Sequence, residues 1–139
     1  MSDAKKINKP WSKWLTLLLF VAALAFVVVK LPRGFSEDLS VIGQGKNVAV
    51  MVHDKEGVQS MNLMSMINKV RGEYADRIEF RVADVNTKEG MVFAEKHQAP
   101  SASLILFARD GHRLGVVNGE SGAQDPDTLR KTLDDALRL

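Results

Sequence analysis

One continuous stretch, residues 48–70, constrains the fold of this chain more than any other. An unbroken apolar run, residues 48–52, is followed by a short polar turn, residues 53–57, and then by a segment with helical periodicity. One face of that segment carries Leu63, Met66, Ile67, Val70 and Tyr74. Residues 78–85 then alternate between apolar and polar side chains, as a strand does. The stretch predicts a β-α-β unit with parallel strands, whose first loop is the usual position for chemistry.

The rest of the chain predicts one more helix and a hairpin, followed by a last helix. Asn86 and Glu89 have the spacing of a capping box, which predicts a helix over residues 87–96. Two apolar runs, residues 104–108 and 114–117, flank an Asp-Gly turn and predict an antiparallel hairpin.

The last helix has a strong start signal. Asp125 is a predicted N-cap and Pro126 occupies the first helical position, with Leu129, Leu133 and Leu137 as the buried stripe. Residues 35–46 predict a short connector with a helical turn over residues 37–42. The predicted element order is β-α-β-α-β-β-α.

This order resembles the thioredoxin family. Read without gaps, residues 48–70 look like the thioredoxin strand, active-site loop and helix. The family's C-x-x-C motif falls on a degenerate loop sequence, Gly57, Val58, Gln59 and Ser60. The family's buried acid corresponds to Met51, and its cis-proline position falls on Ser103, three residues after Pro100.

The resemblance covers roughly residues 46–139 and implies a thioredoxin-like three-layer α/β sandwich with a mixed sheet. The chain contains no cysteine, which excludes disulfide exchange, thiol catalysis and thiolate metal sites. The family's catalytic residues therefore do not carry over, and the resemblance predicts a redox-inactive member with no catalytic residue and no cofactor.

The N-terminal segment predicts a single transmembrane helix over residues 14–31. Thr16 is the only polar residue between Trp14 and Val29, and Trp11 and Trp14 suit the membrane interface. Most of the flanking lysines precede the apolar run, so the positive-inside rule predicts a cytoplasmic tail, residues 1–13. A linker, residues 32–46, and the globular domain, residues 47–139, then lie outside the cytoplasm, periplasmic in a Gram-negative bacterium.

Two other interpretations of the N-terminal segment remain open. Ala23-Leu24-Ala25 offers a small-x-small signal-peptide cleavage site, although the apolar run continues beyond it. A buried core helix is the second alternative, but lysine and tryptophan flanks are typical of membrane interfaces.

The charge distribution argues against nucleic acid as a partner. Residues 31–139 carry fourteen Lys and Arg against sixteen Asp and Glu, so this part has a net charge near −2. The charges alternate in sign and form no basic stripe.

Side chains near the degenerate loop could support three other kinds of chemistry. Ser60 and His53 could pair as nucleophile and base, but no orienting acid is evident, and Ser60 could instead cap the helix. Met61 and Met64 could bind Cu(I) through their thioethers, although methionines at helical spacing are usually core or interface residues. His53, Asp54 and Glu56 could contribute zinc ligands, but zinc needs three or four convergent ligands and a solvated polar loop is the better explanation.

The sequence therefore predicts a membrane-anchored interaction module, an accessory subunit or assembly factor of an integral membrane protein complex. The predicted partner-binding residues are Val58, Met61, Met64, Pro100 and Ala102, which are apolar and sit beside the degenerate loop. A periplasmic copper-handling protein that uses Met61 and Met64 is the alternative.

Overall fold

The computed structural model describes residues 11–30, 34–120 and 125–138, and only the backbone of residues 28–30. The chain divides into two compact units, residues 1–34 and residues 35–139.

The first unit contains one helix, α1 (Trp11–Lys30). Its apolar side chains are exposed around the helix, from Leu15, 61% exposed, to Val27, 55% exposed. Among the residues that the structure describes, no helix is long and apolar enough to cross a membrane. The end of the predicted span, residues 28–31, and most of the predicted tail, residues 1–10, lie outside the described side chains.

The second unit is built on a four-stranded mixed sheet in the order β2-β1-β3-β4. Its strands are β1 (Asn47–His53), β2 (Ile78–Asp84), β3 (Ser103–Phe107) and β4 (Arg113–Asn118). The β1 and β2 strands are parallel, with His53 opposite Asp84. The β1–β3 and β3–β4 pairs are antiparallel. The parallel β-α-β unit and the hairpin predicted from the sequence are both present.

Two helical layers cover the sheet. On one face, α2 (Val58–Val70) and α4 (Pro126–Leu137) bury a core that includes Met51, Leu63, Ile67, Leu129 and Leu133. On the other face, α3 (Lys88–Lys96) and residues 39–42 pack on Val48, Val50, Val52, Ile105 and Phe107. The buried residues of α2 recur with the helical period, which is why the sequence pattern predicted this helix correctly.

The start of α3 differs from the sequence prediction. Thr87, and not Asn86, is the N-cap, because its Oγ1 accepts a hydrogen bond from the Gly90 N–H at 3.1 Å. The same hydroxyl donates to the Asp84 carbonyl oxygen at 2.8 Å. The Asn86 side chain donates instead to the Asp84 carboxylate at 3.0 Å, so it belongs to the turn before the helix.

The connector before the sheet also differs, because residues 37–42 contain no helix and a turn covers residues 40–43. Ser36 makes a parallel bridge to Arg81 and its carbonyl oxygen accepts a hydrogen bond from the Val82 N–H at 3.1 Å. Leu39, Val41 and Ile42 then pack on the same face of the sheet as α3. The connector therefore acts as part of the layer that includes α3.

The C-terminal helix begins as predicted, with Asp125 accepting hydrogen bonds from the Asp127 and Thr128 N–H groups. A short 3₁₀ turn, Arg71–Tyr74, follows α2 and attaches it to α4. There the Tyr74 hydroxyl donates to the Arg130 carbonyl oxygen at 3.1 Å, and burial raises the pKa of Tyr74.

Candidate functional site

The degenerate loop sequence, residues 57–60, lies at the end of the sheet where β1 and β2 finish and β3 begins: Gly57 ends the connection from β1, and residues 58–60 form the first turn of α2. Residues 54–57 connect β1 to α2. Residues 100–102 meet the same end, because the Ala102 N–H donates to the Val52 carbonyl oxygen at 2.9 Å. The fold thus brings together the two segments that the sequence assigned to a partner-binding surface.

The helix after the loop begins without a side-chain cap. Gly57 is the N-cap residue of α2, and Ser60 is the third residue of the helix, within its first turn and 1% exposed. The Ser60 Oγ accepts a hydrogen bond from the Asp54 N–H at 2.9 Å, and it lies 2.8 Å from the His53 Nδ1. Ser60 therefore fastens the loop to the helix and does not cap it.

The contact between Ser60 and His53 does not make a nucleophilic pair of the usual kind. A serine nucleophile must reach its substrate and needs a base that a third group orients. The Ser60 hydroxyl is buried, and in the described residues no carboxylate forms a hydrogen bond or ion pair with His53. The arrangement fixes the orientation of the imidazole ring and leaves its Nε2 free of the serine.

A buried carboxylate locks the loop from the other side. The Asp84 side chain, 1% exposed, forms an ion pair with the Lys55 Nζ at 2.6 Å, and its Oδ1 accepts from the Asn86 N–H at 2.9 Å. The hydrogen bond from Lys55 holds the pKa of Asp84 below its usual value, against the opposing effect of burial. The sequence pattern did not predict this pair, although an aspartate that ends a predicted strand beside an N-cap could have indicated it.

The outer side of the loop presents apolar side chains to solvent. Val58 is 72% exposed and Met61 is 58% exposed, while Met64 is partly buried against the core beneath α2. Met61, Met64 and His53 line one shallow groove of about 500 Å³, together with polar residues of α2. Met61 and Met64 therefore share one groove, and Val58 is exposed one helical turn before Met61 on α2.

The two other predicted contact residues are placed differently. Pro100 is exposed, but Ala102 is 3% exposed, so its methyl group is not on the surface. Ala102 has φ = +61°, and the Ser103 Oγ donates to the Pro100 carbonyl oxygen at 2.7 Å. The described residues contain no cis peptide bond. This segment is thus a hydrogen-bonded turn that can offer Pro100 to a partner and Ala102 only through its backbone.

The predicted metal ligands do not converge. In the described part of the chain, no group of three or more His, Asp or Glu side chains is placed to hold a metal ion. His97 is half-buried against Phe93 and Phe107, and burial lowers its pKa. His112 is exposed in the β3–β4 turn.

The comparisons with known proteins establish the fold and nothing finer. No protein-family model matches the sequence, and no curated protein matches it. A similar chain occurs in a solved structure described as the structural basis of the thiol resolving mechanism in yeast mitochondrial 1-Cys peroxiredoxin via glutathione/thioredoxin systems. The two chains have a TM-score of 0.55 and 21% identity over 68% of this chain and 82% of the other. The chain therefore has a thioredoxin-like α/β fold, which confirms the fold class predicted for the globular part.

Proposed function

We propose that the chain is a non-catalytic, membrane-anchored interaction module that binds an integral membrane protein complex as an accessory subunit or assembly factor. The observation that carries this proposal is the exposed apolar surface formed by Val58 and Met61 beside the degenerate loop. Pro100 and the partly buried Met64 extend it. Side chains of this kind, well exposed and next to a groove, are typical of protein interfaces.

The chemistry of the loop supports binding over catalysis. The positions of both thiols of the resembling family are occupied by Gly57 and Ser60, and the chain has no cysteine at any position. Ser60 and Lys55 hold the loop at both of its sides through buried hydrogen bonds and an ion pair. A loop that is fixed before binding loses little conformational entropy when a partner docks.

The membrane anchor is supported by the N-terminal sequence. The Thr16 hydroxyl donates to the carbonyl oxygens of Ser12 and Lys13, each at 3.0 Å, so the polar group in the apolar run has partners inside the helix. The apolar side chains of α1 are exposed on all sides, and a helix of this kind is typically surrounded by a protein core or a bilayer. The excess of lysines before the helix favours a cytoplasmic N-terminus and an extracytoplasmic domain, at the inner membrane of a Gram-negative cell.

Site-specific photo-crosslinking in native membranes tests the docking surface. A photoreactive amino acid at Met61 should crosslink to one integral membrane protein. The matched control places the same group at Val92, which is 54% exposed on α3 and outside the proposed surface. Equal crosslinking from both positions, or none from Met61, contradicts the proposed surface.

A copper-handling function is the second candidate, because His53 lines the same groove as Met61 and Met64. One imidazole nitrogen and two thioethers form a ligand set that suits Cu(I). The hydrogen bond between the His53 Nδ1 and Ser60 would orient the ring and leave Nε2 for a metal.

Titration of the full chain in neutral detergent with Cu(I), against a competing chelator, distinguishes the two functions. The copper candidate requires uptake of one equivalent, reduced by Met61→Leu or Met64→Leu and unchanged by Met91→Leu, since Met91 lies on α3 outside the groove. Absence of stoichiometric uptake excludes this candidate and leaves the interaction module.

A further inference from the structure

A cavity of about 610 Å³ opens at the end of the sheet opposite the degenerate loop. Its wall includes Asn47 and Ile78, the first residues of β1 and β2, whereas the loop follows the last residues of the same strands. A seven-residue strand spans about 20 Å, so the two sites are separated by the length of the sheet.

Four cationic side chains line this cavity: Lys46, Arg71, Arg77 and Arg109. They come from four separate segments, namely the connector, the junction after α2, the turn before β2 and the turn between β3 and β4. The domain as a whole carries a net charge near −2, counted as fourteen basic against sixteen acidic residues over residues 31–139. A cluster of four cations is therefore opposite in sign to the average charge of the domain.

Interactions within the domain position two of these cations, Arg71 and Arg77, before any ligand arrives. The Arg71 guanidinium lies 4.3 Å from the centre of the Phe35 ring, and that of Arg77 lies 4.8 Å from the centre of the Tyr74 ring. The Gly45 N–H donates to the Arg109 carbonyl oxygen at 3.0 Å, which joins the backbone of the connector to that of the β3–β4 turn. Side chains held in this way lose less freedom on binding an anion.

The acidic side chains of the cavity only partly balance these charges. Glu79 forms an ion pair with Arg81, which is outside the cavity wall, and Asp76 is exposed at the turn before β2. Arg77 forms an ion pair with Asp134, at 3.6 Å between the guanidinium nitrogen and the carboxylate oxygen. Within the described part of the chain, neither Lys46 nor Arg109 forms an ion pair.

We propose that this cavity binds a phosphate ester, with Lys46, Arg71, Arg77 and Arg109 around the phosphate. Guanidinium groups donate paired hydrogen bonds to phosphate oxygens, and an ammonium group adds a point charge. The volume exceeds that of a phosphate alone and lies in the range of small-molecule sites, so an organic group can enter with it. Ile78 and Phe80 supply apolar wall for that group.

Two sources share this chemistry, a soluble phosphate monoester and the headgroup of an anionic phospholipid. The lipid source rests on the proposed membrane anchor, whereas the soluble source does not. Binding of a soluble phosphate monoester therefore tests the cavity assignment independently of the anchor, whereas binding of the phospholipid tests the headgroup as the source.

The test measures thermal unfolding of the full chain in neutral detergent, followed by circular dichroism, as a function of added ligand. The probes are glycerol 3-phosphate, short-chain phosphatidylglycerol and, as a control lipid, short-chain phosphatidylcholine. A ligand that binds only the folded chain raises the Tm in a saturable manner. The Lys46→Gln/Arg109→Gln variant should bind about tenfold more weakly or worse, because two charge-assisted contacts are lost.

A matched variant, Lys88→Gln/Lys131→Gln, removes two exposed cations that do not line the cavity and should bind like the wild-type chain. Stabilisation by glycerol 3-phosphate and by the anionic lipid assigns the cavity to phosphate esters in general, and stabilisation by the anionic lipid alone assigns it to a headgroup. No saturable stabilisation by either probe, or equal weakening in both double variants, overturns the proposal. If the double variant unfolds early without ligand, the single variants Lys46→Gln and Arg109→Gln provide the same comparison.

Discussion

A substitution at Gly90 tests the close contact between the start of α3 and the end of β2. A methyl group built at Gly90 would overlap the carbonyl group of Asp84 and would lie 2.7 Å from its backbone nitrogen, inside any real carbon contact. The start of α3 must therefore move away from the end of β2. Overpacking of this kind costs about 1–3 kcal/mol, and displacement of the Thr87 cap adds about 1 kcal/mol.

The higher intrinsic helix propensity of alanine offsets about 1 kcal/mol of this destabilisation. We therefore expect Gly90→Ala to reduce the free energy of unfolding by roughly 2 kcal/mol, and to lower the Tm by about 10 °C for a domain of this size. Urea unfolding followed by circular dichroism measures the change. Gly72→Ala is the matched control, because nothing lies within 4 Å of its added methyl group, and it should be neutral or slightly stabilising. Equal stability of Gly90→Ala and the wild-type chain would refute the close contact between α3 and β2.

Three further predictions concern the turns around the site. Lys55→Gln should lower the free energy of unfolding at neutral pH, because Lys55 lowers the pKa of Asp84 and stabilises the fold while that carboxylate is ionised. Urea unfolding as a function of pH tests this, since the difference in stability between variant and wild type should shrink as pH falls below about 4. Thr87→Ala should cost about 1–2 kcal/mol, since its hydroxyl makes two hydrogen bonds, and unchanged denaturant midpoints would contradict the cap. Gln98→Gly should stabilise by up to about 1 kcal/mol, because Gln98 is exposed with φ = +50°, and a lowered Tm would contradict this.

The ion pair between Lys55 and Asp84 gives the degenerate loop a structural explanation. In the resembling family the loop carries reactive thiols, whereas here its side chains are used to hold it in place. The sequence resemblance aligns the buried acid of that family with Met51, which is 1% exposed in the core. The buried acid of this chain, Asp84, is on the neighbouring strand and stabilises the loop through Lys55.

The elements that the sequence predicted correctly are those in which burial follows a simple period. The apolar run of residues 48–52 identifies a buried strand. The helical spacing of Leu63 and Ile67 identifies the face of α2 that packs on the core. The signals at Asp125 and Pro126 also depend only on neighbouring residues, and the structure contains that helix start.

The features that the sequence did not predict depend on contacts between distant segments or on close local alternatives. Asn86 and Thr87 are adjacent residues with cap-forming side chains, and the position of the Asp84 carbonyl decides between them. The burial of Ala102 follows from its backbone pairing with Val52. The cationic cavity combines segments as far apart as Lys46 and Arg109, so no local pattern indicates it.

The proposed function requires that the surface beside the degenerate loop bind an integral membrane protein. Quantitative purification of the C-terminally tagged full chain from gently solubilised native membranes tests it most directly when three chains are compared. These are the wild type, a Val58→Asp/Met61→Asp variant and a Met91→Asp/Val92→Asp control, which changes the same two residue types at exposed positions on α3. We expect one integral membrane complex in stoichiometric amount with the wild type and the control, and we expect it to be lost only with Val58→Asp/Met61→Asp while that variant remains folded. Retention of the complex by that variant, or recovery of the wild-type chain alone, would contradict it.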